Sequence, residues 1–132
     1  EGVVYVPGDA TISSITVNSG ALVAAGSITI PASATVTATR LDLCALGGDL
    51  RIAGNLEIET GVLFSNSAIL VETGARMILN RLGTVVGQNL RIDSGAVIQI
   101  VHPAGLDYIA MKESVLARAT RWVIASLREL RR

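Results

Sequence analysis

The chain is 132 residues long, carries eleven basic and eleven acidic side chains, and is half apolar yet only 3% aromatic, so it has the length and core of one domain. Abundant Val, Ile, Leu, Ala, Thr and Gly suit short strands joined by tight corners and argue against a helical bundle. A lone cysteine, Cys44, excludes an internal disulfide, no apolar run reaches the roughly 18 to 20 residues of a membrane span, and no basic-then-apolar leader is present. Glu1 in place of Met fits either a mature protein or a domain cut from a longer one.

The opening stretch, EGVVYVPGDATI, reads as one coil of a repeat: Val3 to Val6 form a strand, Pro7 blunts its end, and no capping helix precedes it. From there, short apolar-x-apolar units of period 2 recur as strands do. Sorted by position, the second apolar residue of each unit falls into three columns. The first holds Val17, Ala38, Ile58, Leu79 and Ile100; the second Val23, Leu43, Phe64 and Val85; the third Ile30, Ile52, Val71 and Ile92. Successive members of a column lie about 20 to 21 residues apart, and the corner after the third column keeps the same beat through Ser33, Gly54, Gly74 and Gly95. Three short strands per period predict an all-β, three-sided parallel β-solenoid, right-handed, over residues 1–107. Outward positions are often polar, as Thr16, Thr37, Glu57 and Gln99 beside the first column and Thr29, Arg51 and Arg91 beside the third. Leu63, Leu70, Ile78 and Val86 read as apolar outward positions that need a cover. A β-sandwich is the structural rival; leucine-rich repeats lack support because their signature and their per-repeat helix are missing.

The phrase φ-x-φ-x-Ser/Thr-Gly-Ala-x-φ, at Ile15 to Val23, Ile69 to Met77 and Leu90 to Ile98, resembles the repeats of bacterial surface and fibre β-helices: autotransporter and adhesin passengers and phage tail fibres. In its number of sides and small size the chain also resembles a bactofilin, a cytoskeletal β-helix that polymerises end to end. The resemblance implies a non-enzymatic structural or binding role, and an extracellular or cell-surface setting, with a cytoplasmic polymer as the alternative.

After His102-Pro103-Ala104-Gly105 the pattern changes, and residues 108–132 are free of Gly and Pro behind a helix-capping Asp107. They predict an amphipathic C-terminal helix. Tyr108, Met111, Val115, Ala119 and Trp122 form its apolar stripe, flanked by Leu116, Val123, Leu127 and Leu130, with Arg118, Arg121 and Arg128 opposite. Charge divides in the same way: residues 1–111 hold five Arg against nine acids, whereas 112–132 hold six cations against two acids. The expectation is a helix docked on the solenoid; a membrane-surface or partner-binding helix is the alternative. Five coils at ~4.8 Å give a rod of roughly 24 Å. The predicted helix spans about 34 Å at 1.5 Å per residue, so its end can reach a second subunit.

Candidate chemistry is sparse. Glu57 and Glu59 share an outward face at a spacing compatible with paired catalytic carboxylates, but their flanks, Thr37 with Thr39 and Ile78 with Asn80, add neither acids nor an aromatic platform. His102 is the only histidine, at the junction, and Cys44 has no base beside it in sequence. Scattered acids give no metal site, no cofactor motif is present, and the scarcity of aromatic residues excludes a stacking surface for nucleic acid. An outward threonine array of the ice-binding kind is interrupted by Glu57, Ile78 and Gln99. The expected function is therefore a structural subunit that self-assembles by stacking or lateral packing into a fibre or layer, with the helix as clasp. Its expected interface residues are Val4, Val6, Leu63, Leu70, Ile78, Trp122, Leu127, Leu130, Arg128 and Arg131. The expected partner is another copy, with neither nucleic acid nor membrane expected. A module binding a glycan or surface protein is the runner-up, followed by a fragment of a carbohydrate-active β-helix enzyme.

Overall fold

The computed structural model describes residues 2–100. The predicted helix 108–132, with Trp122, Leu127, Arg128, Leu130 and Arg131, and the junction His102 lie outside the described residues. Within them the chain is all β: β1 (Val3–Val6), β2 (Ala10–Thr11), β3 (Ile15–Ala24), β4 (Ile28–Ile30), β5 (Thr35–Ala45), β6 (Leu50–Ile52), β7 (Asn55–Ser65), β8 (Ala68–Val71), β9 (Arg76–Val86), β10 (Asn89–Ile92) and β11 (Val97–Ile100). One sheet runs β1-β3-β5-β7-β9-β11 and the other β10-β8-β6-β4-β2. Every pairing is parallel and joins one coil to the next. The result is a parallel β-solenoid of about five coils.

Long and short strands alternate because each long strand turns a corner without leaving its sheet. In β5 the core takes Val36 and Ala38, then Leu41, Leu43 and Ala45. Strict alternation would have continued through residues 40 and 42, so the inward parity changes at Thr39-Arg40. In β7 the same change falls between Ile58 and Leu63. Each long strand thus supplies two straight runs. We call its first half side one and its second half, together with β1, side two; the short strands form side three.

Register confirms two of the three expected columns. Val17, Ala38, Ile58, Leu79 and Ile100 stack in order on side one, and Ile30, Ile52, Val71 and Ile92 on side three. The second column is corrected. Leu22 pairs with Leu43, Leu43 with Leu63 and Leu63 with Val85, while Val23, Cys44, Phe64 and Val86 form a separate row beside it. Leu63 therefore points inward, fully buried in the core, and not outward as its place in the sequence suggested. The parity change at the corner is the physical cause, since counting in twos across it shifts one row into the other.

Inward rows fill the coil with branched aliphatics: Ile28, Ile30, Leu50, Ile52, Leu56, Ile58, Ile69 and Leu79 are all fully or almost fully buried. Burying each contributes roughly 1.5 to 3 kcal/mol, and stacking like on like lets every row do so with the same residue shape. Between sides three and one, Gly74 and Gly95 take φ of 82° and 83°, a left-handed turn that suits glycine. Ser33, at the equivalent place, keeps negative φ, because no non-glycine residue among those described has φ above zero. The sequence phrase that recurs three times thus serves two different corners: Ser19-Gly20 sits inside β3, whereas Thr73-Gly74 and Ser94-Gly95 sit in turns between strands. A further irregularity occurs where Ile58 pairs with Leu79 but Thr60 with Leu82, one extra residue absorbed as a bulge in β9.

Candidate functional site: open coil ends and a buried outer face

The exposed apolar residues are concentrated at the two ends of the stack. Val4 and Ile15 at one end, and Leu90, Ile92 and Ile100 at the other, belong to inward rows, yet they are 40–60% exposed because no further described coil lies over them. Their row neighbours one coil in, such as Ile69, Val71 and Leu79, are fully buried. At the N-terminal end the interior opens as a cavity of about 440 Å³, lined by Val4, Ile12, Ile15, Val17, Leu22 and Leu43 among others. It exists because β1 pairs only with the second half of β3, leaving Ile15 to Asn18 as a sheet edge. At the other end β10, β11 and the second half of β9 form the edge. Both ends present a row of main-chain donors and acceptors beside apolar side chains, the combination that accepts another parallel strand.

Between sides two and three, polar side chains tie one coil to the next. Asp9 Oδ1 accepts the Ser27 N–H at 2.8 Å, Ser27 Oγ accepts the Asp49 N–H at 3.2 Å, and Asp49 Oδ1 accepts the Ala68 N–H at 3.1 Å. Elsewhere, Ser14 Oγ accepts the Thr35 N–H at 3.0 Å between sides three and one, and Asp42 Oδ1 accepts the Val62 N–H at 2.9 Å within side two. These side chains replace backbone carbonyls where the chain bends away from its neighbour. Sequence reasoning missed them, although for Asp9, Ser27 and Asp49 an Asp or Ser directly before a third-side strand was the available signal.

Glu57 and Glu59 share the outer face of side one as expected, in register with Thr37 and Ile78. One amide holds them both: Asn80 Nδ2 donates to Glu57 Oε1 at 3.1 Å and to Glu59 Oε1 at 3.3 Å. On side three, Arg51 bridges a coil to Glu72 at 3.3 Å, and Arg91 pairs with Asp93 at 2.9 Å. The Arg91 hydrogen bond holds the Asp93 carboxyl below its ordinary value. Among the described residues no cluster of three or more His, Cys, Asp or Glu side chains is placed to hold a metal ion.

Of the expected interface residues, Val4 is exposed at the N-terminal end and Val6 half-buried against the core beside it. Leu70 is half-buried on side three. Ile78 points outward from side one yet is buried, and Leu63 is core. The sequence did not single out Leu90, Ile92 or Ile100 as end residues, because nothing in a repeat distinguishes its last copy. Cys44 is buried in the outward row of side two, and burial pushes its thiol up to about 12.

The fold so defined is a parallel β-solenoid whose two apolar ends carry no further coil among the described residues. No protein-family model matches the chain, and neither a curated protein nor a solved structure matches it.

Proposed function

We propose that the protein is a non-enzymatic structural subunit that assembles end to end, the C-terminal coil of one copy stacking on the N-terminal coil of the next. The carrying observation is that inward-row side chains at both ends stay half exposed while the same rows are sealed one coil deeper, save at Leu22, which lines the N-terminal cavity. A second copy supplies what each end needs: strands of the same spacing and twist, and an apolar row in phase. Leu90, Ile92 and Ile100 meet a cavity lined by Val4, Ile12 and Ile15. The two surfaces differ, so the contact is heterologous and propagates as a fibre. In this reading the solenoid is three-sided and right-handed, and residues 120–132, rich in arginine, clasp the acidic coils of the neighbour. The proposed setting is outside the cell or on its surface, following the resemblance to surface and fibre β-helices.

Negative-stain microscopy with light scattering over a concentration series tests this. Fibres or sheets that lengthen with concentration are expected, and removal of residues 120–132 is expected to weaken ordered polymers while strands remain. A monodisperse monomer across the range overturns it; specific binding by that monomer on a glycan array would transfer the lead to a binding module.

A further inference from the structure

Four outward apolar residues are buried where a solvent-facing sheet would expose them. Val23, Cys44 and Val62 on side two and Ile78 on side one are each at most 7% exposed, although their strand neighbours Ala24, Leu43, Ala45, Leu63, Met77 and Leu79 fill the interior. Thr37 and Glu57, outward on the same strands, are exposed. With them lies Asp42, also outward and 8% exposed, with Oδ1 taken by the Val62 N–H. The described strands meet edge to edge along the stack and at its corners, and none lies over this face. Row by row the four residues trace a diagonal, from Ile78 across the corner to Val62, Cys44 and Val23.

We propose that this diagonal is the docking groove for residues 108–119 of the same chain, which lie over it as an intramolecular cover. Three observations select this occupant. The described chain ends at Ile100 on side one, one coil from Ile78, so about seven residues suffice to turn back onto the groove. The segment that follows carries Tyr108, Met111, Val115, Leu116 and Ala119 at helical spacing, an apolar face without glycine or proline. Its charge is opposite to that of the solenoid. Val62, Cys44 and Val23 lie on three successive coils that span about 10 Å along the stack, and residues 108–119 as a helix reach about 18 Å, enough to cover these three and extend over the corner towards Ile78. The cover stands whether or not the coil ends stack.

Cys44, the only cysteine, lies in the middle of the groove and reports on it directly. The thiol of the full chain is titrated with an aromatic disulfide reagent at pH 8 over a range of protein concentrations. Slow, concentration-independent labelling is expected. In the full-length double variant Met111→Asp/Val115→Asp, with β content checked by circular dichroism, labelling is expected to accelerate on the order of 100-fold or more, as a freed thiol regains its ordinary reactivity. Immediate labelling of the wild-type chain overturns the proposal without needing any variant. Protection lost on dilution overturns it in favour of a cover lent by a second copy, and a folded double variant as slow as wild type overturns it in favour of some other cover. Microscopy of the same samples separates the two readings: protected Cys44 in a monomer sinks end-to-end assembly alone, and reactive Cys44 in a fibre sinks the cover alone.

Discussion

Replacing Ile92 by lysine places a charge where the proposed junction is driest. Ile92 closes the side-three row above Val71, is half exposed, and would be sealed by the next subunit. Full burial of such a side chain contributes roughly 1.5 to 3 kcal/mol, so the half that remains is worth about 1 kcal/mol, and the five end residues together about 5 kcal/mol per junction. Association costs ~4 to 15 kcal/mol, and strand-edge hydrogen bonds at about 1 kcal/mol each make up much of the balance. A junction this finely poised does not tolerate a buried ammonium without a partner. Losing about 1 kcal/mol of burial and adding several kcal/mol of desolvation raises the critical concentration by on the order of 1000-fold. The subunit itself loses little, because in a lone solenoid the lysine stem lies along the open end with its ammonium in water. Sedimentation or light scattering against concentration measures the shift, with Thr37→Lys, on an exposed face, as the control. An Ile92→Lys protein that assembles at the wild-type concentration refutes the end-to-end junction.

Three further outcomes test the fold and its outer row. Ile58→Ala, at the centre of side one, should cost about 2 to 5 kcal/mol in denaturant unfolding, since its row neighbours Ala38 and Leu79 cannot both relax into the gap. Gly74→Ala should cost about 1 to 2 kcal/mol from its positive φ alone, as the space around it is open, whereas the same change at Gly8, where φ is not positive and the space is equally open, should leave stability unchanged. Cys44 carries a pH signature: its folded value is raised from 9.0 to about 12 by burial, so the unfolded chain loses this proton first. Stability should be constant below pH 9 and fall as pH rises from 9 towards 12, and Cys44→Ala should flatten that limb of the unfolding curve.

Sides one and three were legible because their rows are short, alternate cleanly, and are bounded by residues that announce a turn, as at Ser33, Gly74 and Gly95. Side two was not. Its corner falls at Thr39-Arg40 and Glu59-Thr60, residues that carry no turn signal and remain inside one continuous strand. The parity change there is a three-dimensional event, visible only when inward residues are known. What the sequence did show on side two is loss of alternation: the runs Leu41 to Ala45 and Val62 to Phe64 are apolar on almost every residue, the mark of a strand covered on both faces. Asp42 interrupts the first run, and its bond to the Val62 N–H explains how a carboxylate is kept there.

Because each coil makes its principal contacts only with the coils directly below and above it, this chain measures length by counting. Ala38 and Ile58 occupy the same rung, one over the other. Excising residues 38–57 would set Ile58 on Val17 with every later row still in phase, and duplicating them would add a storey by the same rule. Changes of a whole coil are therefore grammatical, whereas a change of a few residues must be hidden in a corner, as the extra residue of β9 is. A gene for such a protein can lengthen or shorten its product in increments of one storey, about 4.8 Å each, without having to invent a new core.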